Sequence, residues 1–559
     1  SGQLANGTGI NLSMNYTHLN YALNGGLPSY VQKADYTVLG DIRIDAGNSS
    51  YIEPGTKFLF DGPYSFTVNG IVTVDGAPGD SVHFINHDPS ASDDNKWLGI
   101  LIDGAASSSS SFDWVIISGS QSFGMSLTNS MPTLSNISIT DNNYGLSINN
   151  TQSIITNFDV SNNSNQGLYI IEGSTPKFYD GIVTYNGKGA EQGSGSWPVF
   201  NNVEFSYNDI YAYYTQTGYN GGGSATFNNV KFRYHTHNTD DFGFNDAGSA
   251  PIMLRGSKFQ FNNCEITNNT ILNSSDKTAT VTCTHDAWCI FRNSTIADNT
   301  NYTSSSASLN YGISGGIYMH GRWVNNRHRY PKVALINTIL RNNLLVDPTY
   351  GTMDIEISMG TQYSEVGVLT VIHSNIYGGR ENILLGGLSS GGFGSDASYI
   401  HWEEGNIDVD PGFMNPASGD YTLQLESNNI DQGIALRMSE AWDDPWDDDW
   451  AYQADGGTFD TLIYVSEDEY GGEAPDMGAY EYFACDNGIE VDCEGVCGGD
   501  AVYDCFGECG GSAVLDECGV CNGPGAVYAC GCQEMPEGSC TCDGTGEYGD
   551  SGPGEYGDG

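Results

Sequence analysis

The chain has 559 residues, with 69 acidic against 19 basic side chains and a formal net charge of −50. Such a surface repels nucleic acid and anionic lipid, so neither is expected as a partner, while divalent cations are attracted. Asn, Ser, Thr and Gly are abundant and Tyr reaches 34, the composition of many turns between short strands rather than of helices. No stretch approaches about 18 consecutive apolar residues, so no membrane span is expected. The chain starts at Ser1 without a leader, which reads as a processed, secreted product found outside the cell or at its surface. Sequons such as Asn6-Gly-Thr, Asn136-Ile-Ser and Asn293-Ser-Thr are about as frequent as this composition gives by chance.

In chain order, residues 1–35 are expected to cap one end of a solenoid whose body runs over 36–400. Asp41-Ile-Arg-Ile, Lys57-Phe-Leu-Phe, Ser65-Phe-Thr-Val, Gly70-Ile-Val-Thr-Val and Ser81-Val-His-Phe alternate with period two between Gly/Pro/Asp turns. Then Asn142, Asn163, Asn186 and Asn208 each follow a β-branched or aromatic residue by three positions and recur at 21, 23 and 22 residues. Asn269, Asn299 and Asn342 continue the series. Gly99-Ile-Leu-Ile, Gly124-Met-Ser-Leu, Gly145-Leu-Ser-Ile and Gly167-Leu-Tyr-Ile keep nearly the same step. A period of about 22 with two or three short strands is the mark of stacked repeats that bury a shared core. Asn suits the corner because it tolerates the left-handed backbone, and its amide can bond along the stack. The fold class expected is all-β, a right-handed parallel β-helix with a small disulfide-rich C-terminal tail. About 13 or 14 rungs of roughly 4.8 Å give a body on the order of 65 Å long.

The order Leu39-Gly-Asp-Ile, Ile52-Glu-Pro-Gly-Thr, Val68-Asn-Gly, Val74-Asp-Gly and Trp97-Leu-Gly-Ile resembles the opening of bacterial secreted right-handed β-helix proteins. Asp410-Pro-Gly-Phe, Gly419-Asp-Tyr-Thr-Leu-Gln and Pro475-Asp-Met-Gly-Ala-Tyr-Glu-Tyr resemble the closing segment of β-helix surface proteins, which implies a cap over 401–484. This chain departs from that pattern by inserting Trp442-Asp-Asp-Pro-Trp-Asp-Asp-Asp-Trp450. Residues 485–559 carry a 12-residue Cys/Gly/Asp repeat that resembles repeats of marine bacterial surface proteins. The resemblance implies a fold, since β-helices serve lyases, hydrolases, adhesins and fibres alike.

Eleven of the fourteen cysteines lie in that tail: Cys485, Cys493, Cys497, Cys505, Cys509, Cys518, Cys521, Cys530, Cys532, Cys540 and Cys542. With so little apolar bulk there, disulfides in an oxidising compartment are expected rather than zinc. In the body, Cys283 and Cys289 are near enough in sequence to bridge a loop, and Cys264 is placed in a strand.

Between 227 and 341 the Asn spacing stretches to 27, 34, 30 and 43, reading His235 as the Asn equivalent, so insertions are expected there. The same stretch holds eleven of the nineteen basic residues. Arg322, Arg327, Arg329 and Lys332 are the candidates for a lyase, which needs a base and a cation beside a uronate. The plainer reading, which is favoured, pairs them with nearby carboxylates. Asp240 and Asp241 suggest a hydrolase, but the second and third motifs such enzymes need are missing. His235-Thr-His237 offers two imidazoles on one strand face for a metal, against a reading as packed turn residues. Tyr211 and Tyr213, with Tyr207, Tyr214 and Tyr219, are candidates for a glycan platform, as are Trp442, Trp446 and Trp450. Asp443, Asp444, Asp447, Asp448 and Asp449 are candidate Ca²⁺ ligands, and no other cofactor is expected. The reading that leads is a structural or adhesive surface protein or fibre subunit that associates with itself or with polysaccharide. A polysaccharide lyase or hydrolase and a glycan-binding protein stand behind it.

Overall fold

The computed structural model describes residues 20–482 and 511, except 89, 91, 172, 217–222, 239–249, 275–276, 305–311, 325–326, 361–366, 387–391, 394–398, 439–460 and 467–468. The chain divides into two compact units, residues 1–482 and 483–559. The tail cysteines, Asp240, Asp241 and the Trp442–Trp450 run therefore lie outside the described residues.

A representative repeat opens with the strand Thr133–Thr140, bent at its middle, and continues with Tyr144–Asn149. The two arms of the bent strand build faces A and B, and the second strand builds face C. Each pairs in parallel with its counterpart one repeat away, as Leu134 does with Ile155 and Ile137 with Phe158. The result is a right-handed parallel β-helix within one sheet of 36 strands. Pairing begins at Asn20, inside the segment 1–35, and reaches Ile400–Trp402 and a bridge at Ile407. Among the described residues no helix is long and apolar enough to cross a membrane.

Period-two alternation sends every second side chain inward, and stacking turns those side chains into columns. Phe178, Phe200, Phe227, Phe261 and Phe291 form one such column, fully buried, with neighbouring rings 4.6–5.4 Å apart and nearly parallel. Each buried Phe contributes roughly 1.5–3 kcal/mol by leaving water. Corners need a different chemistry, because the chain turns there and its amides must still be satisfied. Between faces B and C the turn is made by one residue at positive φ followed by a buried amide. The side-chain oxygens of Asn163, Asn186 and Asn208 accept the backbone N–H of Asn142, Asn163 and Asn186 at 3.0–3.1 Å. The expected stack of Asn142, Asn163, Asn186 and Asn208 is thus present, and it continues through His235, Asn269 and Asn299. Its next member is Asn343, not Asn342, which takes the positive-φ position just before it. Gly145 lies on the inner side of this corner, where a Cβ would come 2.3 Å from the Gly167 carbonyl.

The stretched spacing after residue 227 is only partly insertion. From Thr236 each rung gains a fourth strand. Thr236–Asn238, Thr270–Ser274, Thr300–Thr303 and Leu344–Asp347 pair in parallel, and Gly351–Asp354 closes the set in antiparallel fashion. This face D has its own apolar cluster of Ile313, Leu345, Ile355 and Leu384.

The closing segment first stacks on the last rung, where Ile407 bridges Asn375 and the Asn375 amide donates to Val409 and Asn429. Further described contacts run back along the flank of faces A and B. Tyr480 donates to Glu265 at 2.5 Å, the Ala479 N–H reaches Thr295 Oγ1 at 3.0 Å, and Asn337 exchanges bonds with Ile434. Met477 is fully buried in a cluster with Ile339 and Leu423. The expected Cys283–Cys289 disulfide is formed, and Cys264 is a buried free thiol.

Candidate functional site

The outer row of face C runs, in register, through Ser147, Tyr169, Glu191, Tyr214, Met253, Thr282, Tyr318 and Ser358. Glu191 is 7% exposed and accepts bonds from Gln166, Tyr211 and Gln216. Tyr211 is 2% exposed with its hydroxyl 2.7 Å from Glu191. Tyr213 points into the core, 0% exposed, and its hydroxyl meets Gln192 at 2.5 Å. Burial drives both phenols far above their ordinary range. Neither Tyr211 nor Tyr213 can be a glycan platform, because their rings are packing elements without a free face. Tyr214 is half-buried under the guanidinium of Arg255, which also donates to its hydroxyl at 3.0 Å.

The basic run after face C forms a hairpin, Arg322–Val324 pairing with Arg327–Arg329 in antiparallel fashion. The side chains of Arg322, Arg327 and Arg329 lie outside the described residues. Lys332 opens the face A strand Lys332–Ile336, beside Trp288. The four basic candidates therefore sit on a hairpin and the strand that follows it.

His235 does not act as a metal ligand. Its Nδ1 accepts the Asn208 N–H at 3.1 Å, so Nε2 carries the proton and donates to the Phe205 carbonyl at 3.0 Å. The ring replaces an amide in the corner stack, as its spacing implied. Burial pushes its pKa down to about 4, which keeps it neutral. His237 is buried beside the Ile210 carbonyl. Among the described residues no group of three or more His, Cys, Asp or Glu is placed to hold a metal ion.

The basic residue nearest this corner is also engaged. Arg233 meets Glu204 at 2.6 Å, both about three-quarters buried or more. Burial works against the ionised Glu204, but Arg233 outweighs it and holds the carboxyl below its usual range.

Among the aromatic side chains that reach solvent, three stack on successive rungs. Tyr185, Tyr207 and Tyr234 occupy the positive-φ position of three successive rungs at the B–C corner. Their rings stack at 4.9 and 5.1 Å with interplanar angles of 3° and 13°. Tyr185 is 57% and Tyr207 42% exposed. Arg233 lies against the last ring at 5.7 Å. Of these three only Tyr207 was singled out by sequence. The signal for the other two is their place immediately before Asn186 and His235 in the corner stack.

Residues 93–232 match the family described as a right handed beta helix region. Pectate lyase Pel9A is similar in structure at 15% identity and a TM-score of 0.29, with 80% of this chain and 88% of that chain covered. The catalytic domain of a GH87 alpha-1,3-glucanase, solved with tetrasaccharides, is similar at 13% identity, TM-score 0.29, over 68% and 64% of the two chains. ORF18 of Geobacillus virus E2 is similar at 13% identity, TM-score 0.24, over 67% and 57%. No curated protein matches. These figures describe a distant likeness and carry no activity over to this chain.

Proposed function

We propose that this chain is an extracellular structural or adhesive surface protein that works without catalysis, through its flanks, on polysaccharide or on further copies of itself. The observation that carries this reading is the use made of the polar groups between 204 and 269. His235 completes the corner stack with both ring nitrogens, and Arg233 is held by Glu204. A lyase or hydrolase needs such groups aimed at a substrate and free to exchange protons. Here they hold rungs together. The acidic surface is compatible with a place outside the cell and favours solubility.

The test has two arms. The protein is incubated with alginate, pectate, chondroitin and neutral glucans while unsaturated ends and reducing sugar are followed. It is also sedimented with the insoluble polymers and imaged by electron microscopy at high concentration, with and without Ca²⁺. Binding or assembly without turnover is expected. Turnover of any polymer overturns the non-catalytic reading, and dispersed particles that bind nothing overturn the adhesive one.

A further inference from the structure

The B–C corner needs one residue at positive φ per rung. Over eight rungs the chain supplies Asp141, Asn162, Tyr185, Tyr207, Tyr234, Asn268, Asp298 and Asn342, with φ between 51° and 60°. Asn and Asp enter this region readily because their short side chains bond locally. A bulky ring gains nothing of that kind and carries a strain of roughly 1–2 kcal/mol. Three strained tyrosines make two stacked pairs, and each pair returns about 0.5–1.5 kcal/mol. Stacking therefore offsets the strain at best and gives no reason to prefer Tyr over the Asn found two rungs away. The rings are not there to fill the core either, since Tyr185 and Tyr207 are exposed. Strained residues that packing does not require point to a surface task.

We propose that Tyr185, Tyr207 and Tyr234 form a binding site for a neutral pyranose polymer that lies along the solenoid axis. This rests on the adhesive reading and names its ligand class. The rings repeat at 4.9 and 5.1 Å, close to the length of one sugar unit in an extended chain, so the exposed rungs of Tyr185 and Tyr207 offer one phenol hydroxyl per sugar. Tyr185, the first ring of the stack, is the most exposed, and its edge and that of Tyr207 border the site. Neutrality follows from the charges present. Arg233 is the cation against the ladder, and it is spent on Glu204. The whole chain carries −50, so a uronate polymer would meet net repulsion.

The site has a fixed lower end. The closing segment passes over it at Gly419, where a Cβ would come 2.7 Å from the Tyr234 hydroxyl. From there Tyr421 occupies the same row, accepting from Asn268 at 3.0 Å and donating to Asp298 at 2.7 Å. The exposed ladder thus covers the rungs of Tyr185 and Tyr207, and Tyr234 closes it.

The test replaces both exposed rings with the residue the corner uses elsewhere, Tyr185→Asn with Tyr207→Asn. Because Asn fits this backbone, the variant should keep its Tm within about 2 °C. Binding is read by affinity electrophoresis and calorimetry on xylan, glucomannan, laminarin and hydroxyethyl cellulose, with alginate and polygalacturonate as anionic controls. The full-length protein should bind at least one neutral polymer in preference to the anionic ones. The double variant should lose at least about tenfold in affinity, and Tyr207→Phe should lose less. Unchanged binding by the double variant overturns the site and leaves the adhesive reading standing. Preference for the anionic polymers overturns the ligand class. A double variant whose Tm falls by more than about 5 °C marks the ladder as a structural stack and overturns the strain argument. Assembly without any polysaccharide binding removes the site alone, whereas neither assembly nor binding removes the reading beneath it.

Discussion

Substituting Asn186→Ala should cost this protein a large share of its stability. The side chain is fully buried and makes four bonds. Its amide nitrogen donates to the Val160 carbonyl and to Asn208 Oδ1, each at 3.0 Å. Its oxygen accepts the Asn163 N–H at 3.0 Å and the Asn163 side-chain amide at 2.9 Å. Two of the partners keep other bonds after the change. Asn163 Nδ2 still reaches the Ile139 carbonyl at 3.1 Å, and Asn208 Oδ1 still accepts the Asn186 N–H at 3.0 Å. The Asn163 N–H and the Val160 carbonyl lose their side-chain partner in a buried corner, at about 1–3 kcal/mol each. The expected loss is therefore about 2–6 kcal/mol, against a typical total of about 5–15. Urea unfolding measures it, and hydrogen exchange at the Asn163 amide localises it. Asn157→Gly is the control: it is exposed, its φ of 48° suits glycine, and it should stay within about 0.5 kcal/mol. A loss below about 1 kcal/mol with unchanged exchange at Asn163 would mean that the stacked amides are passengers on the fold.

The closing segment should loosen as pH rises. Burial above all, with repulsion from Asp431 on Asp476 and from Asp476 on Glu481, lifts Asp476 to about 6 and Glu481 to about 8, while the unfolded chain titrates near 3.8 and 4.5. The folded state therefore holds protons that the unfolded state has released, and stability falls with increasing pH from about 4 to about 8. Glu481→Gln removes one titration while its oxygen can still accept the Asp476 N–H, so the variant should gain on the wild type across pH 5–8. A Tm difference that stays constant over that range rejects the coupling. The Cys283–Cys289 bridge spans 6 residues, and its removal by paired Cys→Ala changes should cost roughly 2 kcal/mol by loop entropy. Cys264, whose thiol burial pushes up to about 12, should alkylate only in denaturant. Labelling in the native state contradicts its placement.

The parts that the sequence exposes are those governed by local repetition. A buried corner amide must recur at one-rung spacing, so the stack is readable, and even His235 is recognised by its interval. The slip from Asn343 to Asn342 shows how little margin there is, because two adjacent asparagines both suit the corner and only one turns inward. The tyrosines show the same problem on a larger scale. Tyr211 and Tyr213 are close to Tyr207 in sequence, but orientation changes with each residue and again at each corner. Tyr207 stands with Tyr185 and Tyr234, residues one rung away, while Tyr213 is core. Face D is hard to foresee for another reason. Thr236–Asn238 and Thr300–Thr303 are short, polar strands whose pairing is held by neighbours, and by composition they read as insertions. The flank docking of the segment's described residues depends on contacts such as Tyr480 with Glu265, which lie beyond any local pattern.

The distribution of cover along the body joins these findings. From Glu265 onward face B is sealed by Tyr480, Ala479 and Met477, and the corner row beside it by Tyr421. Before that point the same row carries the exposed, stacked rings of Tyr185 and Tyr207. The closing segment stops at Tyr234, through Gly419, where the ladder ends. A segment needed only to protect an apolar end would have no reason to run along the flank. Its course gives the last rungs additional side-to-side bonds and leaves the tyrosine ladder open as the aromatic strip of that row.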